Sequence, residues 1–249
     1  MLAGRTIVVT GAARGVGRVI AEACARHGAR LVLADVLADV GAQTARQITA
    51  TGAVARFVAV DLARPPSIEA FAADIRAHEG AIHGLVNNAA IATNVGGKTF
   101  DEIDIELWDR VMTVNVRGTW LVTRALAPLL ADGGDGRIVN VASDTALWGA
   151  PRLLAYVSSK GAVISMTRSL ARELGPRGIG ITAIAPGIMR NEATEYVPAE
   201  RHQFYETGRA VPGPQMPEDI VDVVAFLLTK GALALTGQVL PVNAGFVFT

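Results

Sequence analysis

Short apolar runs recur along the chain, each followed by a longer stretch of helical period, and this alternation restricts the fold more than any other feature. The runs are Thr6–Thr10, Arg30–Ala34, Val54–Val60, Ile82–Asn87, Arg137–Ala142, Gly180–Ala185 and Gln238–Val242. They carry Val and Ile at successive positions, the pattern of parallel strands covered on both faces. Between them, Arg18–His27 gathers Val19, Ile20, Ala23 and Cys24 on one side. Pro65-Pro66-Ser67 opens a second helix that runs to about His78, with proline in its first turn. Strand then helix, repeated about six times, predicts an α/β fold: a doubly wound parallel sheet of about seven strands with helices on both faces. No linker, low-complexity stretch or repeat divides the 249 residues, so a single domain over 1–249 is expected. The connection from Pro186 to Pro217 is long and rich in Pro and Gly, and it starts at the sheet edge where such folds bind ligands. Residues 188–216 are therefore expected to form a lid over a substrate.

Composition removes several function classes. Hydrophobic residues at 51% against 18% charged rule out disorder. The balance of 23 basic and 23 acidic side chains offers no basic face for nucleic acid. Cys24 is the single cysteine and the four histidines are scattered, so neither a disulfide nor a metal site is expected. No apolar run approaches the roughly 18–20 residues needed to span a bilayer. The start MLAGRTIVVTG lacks the pattern of a signal peptide, and a cytoplasmic location is the expectation.

The first strand runs into Thr10-Gly11-Ala12-Ala13-Arg14-Gly15-Val16-Gly17 and then directly into a helix. Glycines there let the backbone turn tightly and approach a pyrophosphate, which the free amides of a helix N-terminus attract. The second strand ends at Asp35, about 20 residues past the glycines, where a carboxylate can accept hydrogen bonds from both hydroxyls of an adenosine ribose. A 2′-phosphate at the same place would meet repulsion on the order of 4 kcal/mol for unit charges at 4 Å. Arg14 would favour that phosphate, but Val36 after Asp35 adds no second basic group. NAD is therefore expected over NADP.

Tyr156 and Lys160 stand four residues apart in a helical segment, Arg152–Gly175, and so share a face. Lys160 is one of only three lysines, with Lys98 and Lys230. A free tyrosine titrates near 10, too high for a proton shuttle at neutral pH, and an ammonium about 4 Å away supplies the roughly 4 kcal/mol needed to lower it by three units. Lys160 is expected to do this. Ser143, just past the fifth strand, emerges at the same sheet edge.

Together these motifs make the chain resemble the short-chain dehydrogenase/reductase family from Arg5 to the C-terminus. The matching residues are the Thr10–Gly17 loop, Asp61-Leu62, Asn87-Asn88-Ala89-Ala90, Asn115, Ser143, Tyr156, Lys160 and Pro186-Gly187. The resemblance implies a Rossmann-like fold whose cofactor contacts are Gly11, Arg14, Gly15, Val16, Gly17, Asp35, Val36, Asp61, Leu62, Asn88, Ala89, Tyr156, Lys160, Pro186, Gly187 and Ile188. It implies that Asn115, Ser143, Tyr156 and Lys160 are catalytic, with Tyr156 exchanging the proton and Ser143 holding the substrate oxygen. Lys160 would also bind the nicotinamide ribose, and Asn115 would hold a water that relays the proton outward. A homotetramer is implied too, consistent with aromatic residues at the tail, Gly245-Phe246-Val247-Phe248-Thr249. The chain departs from the family pattern at Ala90, where glycine is commoner, and at Asn191, which replaces a frequent threonine.

The expected activity is an NAD(H)-dependent interconversion of a secondary alcohol and its ketone. The competing readings are a reductase of 3-oxoacyl-carrier-protein type, which usually prefers NADP, and a protein that binds dinucleotide without chemistry. Pocket walls are expected from Ile91, Ala92, Thr145, Leu147, Trp148, Leu153, Met189, Tyr196 and Phe204, with Ser143 and Tyr156 at the reacting end. Charge there is limited to Asp144, Arg152 and Arg190. Large flat walls predict a compact, mainly apolar cyclic or aryl substrate.

Overall fold

A computed structural model describes residues 1–249. Its strands are β1 (Thr6–Thr10), β2 (Arg30–Asp35), β3 (Ala55–Ala59), β4 (Gly84–Asn87), β5 (Arg137–Val141), β6 (Gly180–Pro186) and β7 (Val239–Val242). All pair in parallel in one sheet of order β3-β2-β1-β4-β5-β6-β7. The doubly wound sheet expected from the apolar runs is the one observed, with ends shifted by a residue or two.

The helices are α1 (Gly15–Arg26), α2 (Ala38–Ala50), α3 (Pro65–Glu79), α4 (Ile105–Met112), α5 (Thr119–Asp132), α6 (Thr145–Trp148), α7 (Leu154–Leu174), α8 (Ala199–Gly208) and α9 (Glu218–Leu227). Because every strand is apolar on both sides, the core splits into two slabs. Ile7 and Val9 of β1 point into one, with Ile20 of α1, Ile48 of α2 and Val224 of α9. Val8 points into the other, with Phe71 of α3, Leu126 of α5 and Leu174 of α7. No helix is long and apolar enough to cross a membrane.

The chain order reverses between β1 and β4, which opens a crevice at their carboxyl ends. Thr10 pins its floor: its hydroxyl donates to Val86 O and accepts from the backbone N–H groups of Asn88 and Ala89. Beneath it lies a wholly buried polar chain, in which Asn87 Nδ2 donates to Asn140 Oδ1 at 2.8 Å and Asn140 Nδ2 to Thr167 Oγ1 at 2.8 Å. The connection after β6 is not a bare loop, since it folds into α8 midway.

Candidate active site

The crevice is a cavity of about 1160 Å³ above β1, β4, β5 and β6. All sixteen residues expected at the cofactor line it. The glycine turn shows why. An added Cβ at Gly17 would lie 2.1 Å from Gly11 O, so only glycine lets α1 start this close to β1. Gly15 has a left-handed backbone (φ 56°), and a Cβ there would meet nothing nearer than Glu192 Oε1 at 3.6 Å. No side chain caps α1, and no acidic residue occupies its first turn. That leaves an open, positively polarised helix end beside a backbone with room for a diphosphate. The residues present fit a dinucleotide.

Asp35 is held by two backbone N–H donors, Ala13 at 3.0 Å to Oδ2 and Leu37 at 3.1 Å to Oδ1. Asn88 Nδ2 donates to both Thr10 O and Gly11 O, tying the tip of β4 to the glycine turn. The Arg14 guanidinium lies 3.8 Å from the Glu192 carboxylate of the connection after β6.

At the other end, α7 presents Tyr156 and Lys160. The Lys160 ammonium donates to Val141 O at 2.7 Å and lies 5.6 Å from the Tyr156 ring centroid. Ser143 Oγ accepts from Thr145 Oγ1 at 2.8 Å and from Thr145 N at 3.3 Å. One expectation is corrected here. Lys160 does not pull Tyr156 down: burial pushes the phenol up to about 12, and only the neighbouring Ser143 hydroxyl works against that. Lys160 is itself dehydrated and falls to about 8. Dehydration by burial is the leading cause of both shifts, and the ammonium is engaged by the Val141 carbonyl.

Asn115 lies deep beside the site. It sits in a π-helical turn, Thr113–Gly118, between α4 and α5. Both amide hydrogens are already used, on Ile91 O at 3.1 Å and Ser159 Oγ at 3.1 Å, while Oδ1 accepts from Ile91 N at 2.7 Å. Its amide therefore ties the Ile91 wall to α7.

Ser143, Thr145, Leu153, Tyr156 and Met189 all line the cavity, as do Ile91, Ala92, Tyr196 and Phe204. Trp148 does not, and this is a second correction. The left-handed turn at Gly149 (φ 73°) ends α6 after one turn. Trp148 then packs against Phe204, Tyr205 and Phe246, with ring centroids 5.8–6.0 Å apart. Leu147 lies behind the site against Ala142 and Val163. Asp144 is fully buried and Arg190 binds Glu206, so the charges at the mouth are Arg152, Glu200 and Arg201. Asn191 lines the cavity, but its Oδ1 is engaged by Ala193 N at 2.8 Å in its own turn. Phe246 is covered by its own subunit, stacked on Tyr205 at 4.2 Å, so of the two tail phenylalanines only Phe248 is left bare. Tyr205, Glu192 and Arg201 escaped the sequence reading because their spacing from the other site residues carries no period.

A family model described as enoyl-(acyl carrier protein) reductase matches residues 11–247. The chain is 33% identical to 2-(S)-hydroxypropyl-CoM dehydrogenase 3 of Xanthobacter autotrophicus, over 98% of this chain and 97% of that one. It is 35% identical to sorbitol dehydrogenase of Cereibacter sphaeroides, covering 98% of each. Among solved structures, a Beutenbergia cavernae protein described as NAD(P) dependent, with NADP bound at low occupancy, superimposes with a TM-score of 0.92. That structure is 35% identical to this chain and covers 98% of it, and 97% of its own length is matched.

Proposed function

The chain belongs to the short-chain dehydrogenase/reductase family of NAD(P)-binding oxidoreductases, and we propose that it interconverts a compact, mainly apolar cyclic or aryl secondary alcohol and its ketone with NAD(H). The observation that carries this reading is that one cavity is lined at one end by the glycine turn and Asp35, and at the other by Ser143, Tyr156 and Lys160. A bound nicotinamide would accept or supply the hydride. The protein's part is positioning and proton transfer. Ser143 Oγ, oriented by the Thr145 hydroxyl, holds the substrate oxygen. Tyr156 takes the hydroxyl proton during oxidation and returns it during reduction. Lys160, fixed on Val141 O, would hold the ribose and keep α7 against β5.

Among the remaining walls, Ile91, Ala92, Leu153, Met189, Tyr196 and Phe204 are apolar or aromatic, alongside the charged Arg152, Glu200 and Arg201. They support a ring over a polyol, although the relatives' names span both a thioether alcohol and sorbitol. With Trp148 packed outside the cavity, the flat wall is Phe204 and Tyr196. Phe204→Ala is expected to raise KM for cyclic and aryl alcohols about tenfold with kcat changed much less, because it removes binding shared by ground and transition states. A direct comparison of kcat/KM across cyclic and aryl alcohols, sugars, polyols and acyl thioesters tests the class. Higher values for sugars or thioesters would overturn it, and a thioester preference would favour the carrier-protein reductase reading.

The site is placed in a larger assembly by the same reading. Phe100, Ile105, Trp120, Phe226 and Phe248 stand 42–81% exposed, an unusual load of bare aromatic and aliphatic surface. A homotetramer of about 104 kDa, four chains of 26.0 kDa, is expected by light scattering at micromolar concentration. A 26.0 kDa species would refute it.

A further inference from the structure

Behind the catalytic serine lies a buried polar cluster that proton transfer does not use. Asp144, directly after Ser143, has no exposed surface. Its Oδ1 accepts from Tyr205 Oη at 3.1 Å and its Oδ2 from Asn243 Nδ2 at 3.2 Å. Tyr205 comes from α8 in the lid and is 1% exposed. Its hydroxyl also accepts from Trp148 Nε1 at 3.0 Å, while its ring stacks on Phe246. Three separate pieces of chain, the serine segment with α6, α8 and the segment after β7, therefore meet on one hydroxyl and one carboxylate.

Helix α8 depends on this meeting point. It has no side-chain N-cap, and its packing on the body centres on Phe204 and Tyr205, whose rings meet Trp148 of α6 and Phe246. Its other side-chain ties include Arg190 to Glu206, Arg201 to Pro151 O at 3.3 Å, His202 to Thr194 O at 3.2 Å, and, just past its end, Arg209 to Ile188 O at 2.8 Å. The first two are partly exposed and so weakly held. Tyr205 is different, because breaking its bond strands a buried hydroxyl, a buried carboxylate and an indole N–H together. Its neighbour Phe204 projects from the same helix into the substrate end of the cavity.

We propose that Asp144 and Tyr205 form a clasp that seats α8 on the serine segment, making Tyr205 a positioning residue for substrate binding. The clasp sets where the Phe204 wall stands relative to Ser143. It does not set Ser143 itself, since the Asp144 backbone N–H is independently fixed to Pro186 O at 3.0 Å. The kinetic consequence rests on the alcohol dehydrogenase reading, but the geometry does not.

The test uses the full chain carrying Tyr205→Phe, which keeps the ring and its stacking and removes only the hydroxyl. Substrate KM is expected to rise about tenfold, with kcat within about threefold and the KM for the dinucleotide unchanged, because α8 borders only the substrate end. Asp144→Asn keeps an acceptor for Tyr205 and is expected to raise substrate KM less than Tyr205→Phe does. Backbone hydrogen exchange, read alongside, should quicken about tenfold or more in residues 188–208 of Tyr205→Phe and stay unchanged in the sheet. An unchanged substrate KM, or an equal rise in the KM for the dinucleotide, would overturn the clasp. If the wild-type chain turns over no alcohol, the functional reading fails and exchange alone decides. Faster exchange confined to 188–208 upholds the clasp, and unchanged exchange there refutes it.

Discussion

Tyr156→Phe is expected to lower kcat/KM for alcohol and ketone alike by at least the roughly 10²–10⁴-fold that a positioned acid–base group provides, about 3–5 kcal/mol of barrier. The phenol stands beside Ser143 in the cavity, whose other phenols are already engaged, Tyr196 on Ala92 O and Tyr205 on Asp144. The wild-type pH profile should carry the same signature. Burial raises Tyr156 to about 12, so the proton-accepting phenolate is scarce at neutral pH and grows as pH rises. Oxidation, which needs the phenolate, should therefore climb steadily between pH 7 and 10. Reduction, which needs the phenol, should stay flat over the lower part of that range. Oxidation already level at pH 7 would show that the tyrosine ionises at neutral pH in the working enzyme. Near-normal turnover by the Phe variant would place the chemistry on another residue.

What could be read from sequence divides along physical lines. Strands buried on both faces announce themselves as runs such as Ile7-Val8-Val9, and the glycine turn and the Tyr156/Lys160 pair depend on local spacing alone. Each of these is set within a few residues of chain. The direction of Tyr156's shift was not legible, because it depends on how deeply α7 is covered and on which acceptor captures the Lys160 ammonium. Trp148 shows the same limit. Its place five residues after Ser143 suggests a pocket wall, but one left-handed residue at Gly149 ends the helix and delivers the indole to Tyr205 and Phe246. Asp144 reads as a charge near the substrate until Tyr205 and Asn243, 61 and 99 residues away in sequence, are seen to enclose it. Partners so distant leave no period for a sequence reading to find.

NAD(H) is expected to give the higher kcat/KM, with Asp35 as the discriminating residue. The carboxylate is fixed by Ala13 N and Leu37 N at the tip of β2, so it cannot swing away from a 2′-phosphate. At 4 Å and an effective dielectric of 20 the repulsion between unit charges is about 4 kcal/mol, and partial exposure to salt reduces it to about 1–3 kcal/mol, roughly tenfold to a hundredfold. Arg14 is the one nearby group that would reverse the preference. Its guanidinium is directed to Glu192 at 3.8 Å, and Val36 beside Asp35 is apolar and 64% exposed. Asp35→Ala removes the repulsion together with the ribose acceptor. NADP should then gain and NAD lose, so that the NAD to NADP ratio of kcat/KM falls by about two orders of magnitude. Glu192→Gln, which frees Arg14, should move the ratio in the same direction by a smaller amount. Measuring both cofactors with one alcohol settles the matter: a wild-type preference for NADP, or a ratio that ignores Asp35→Ala, would transfer the choice from Asp35 to Arg14.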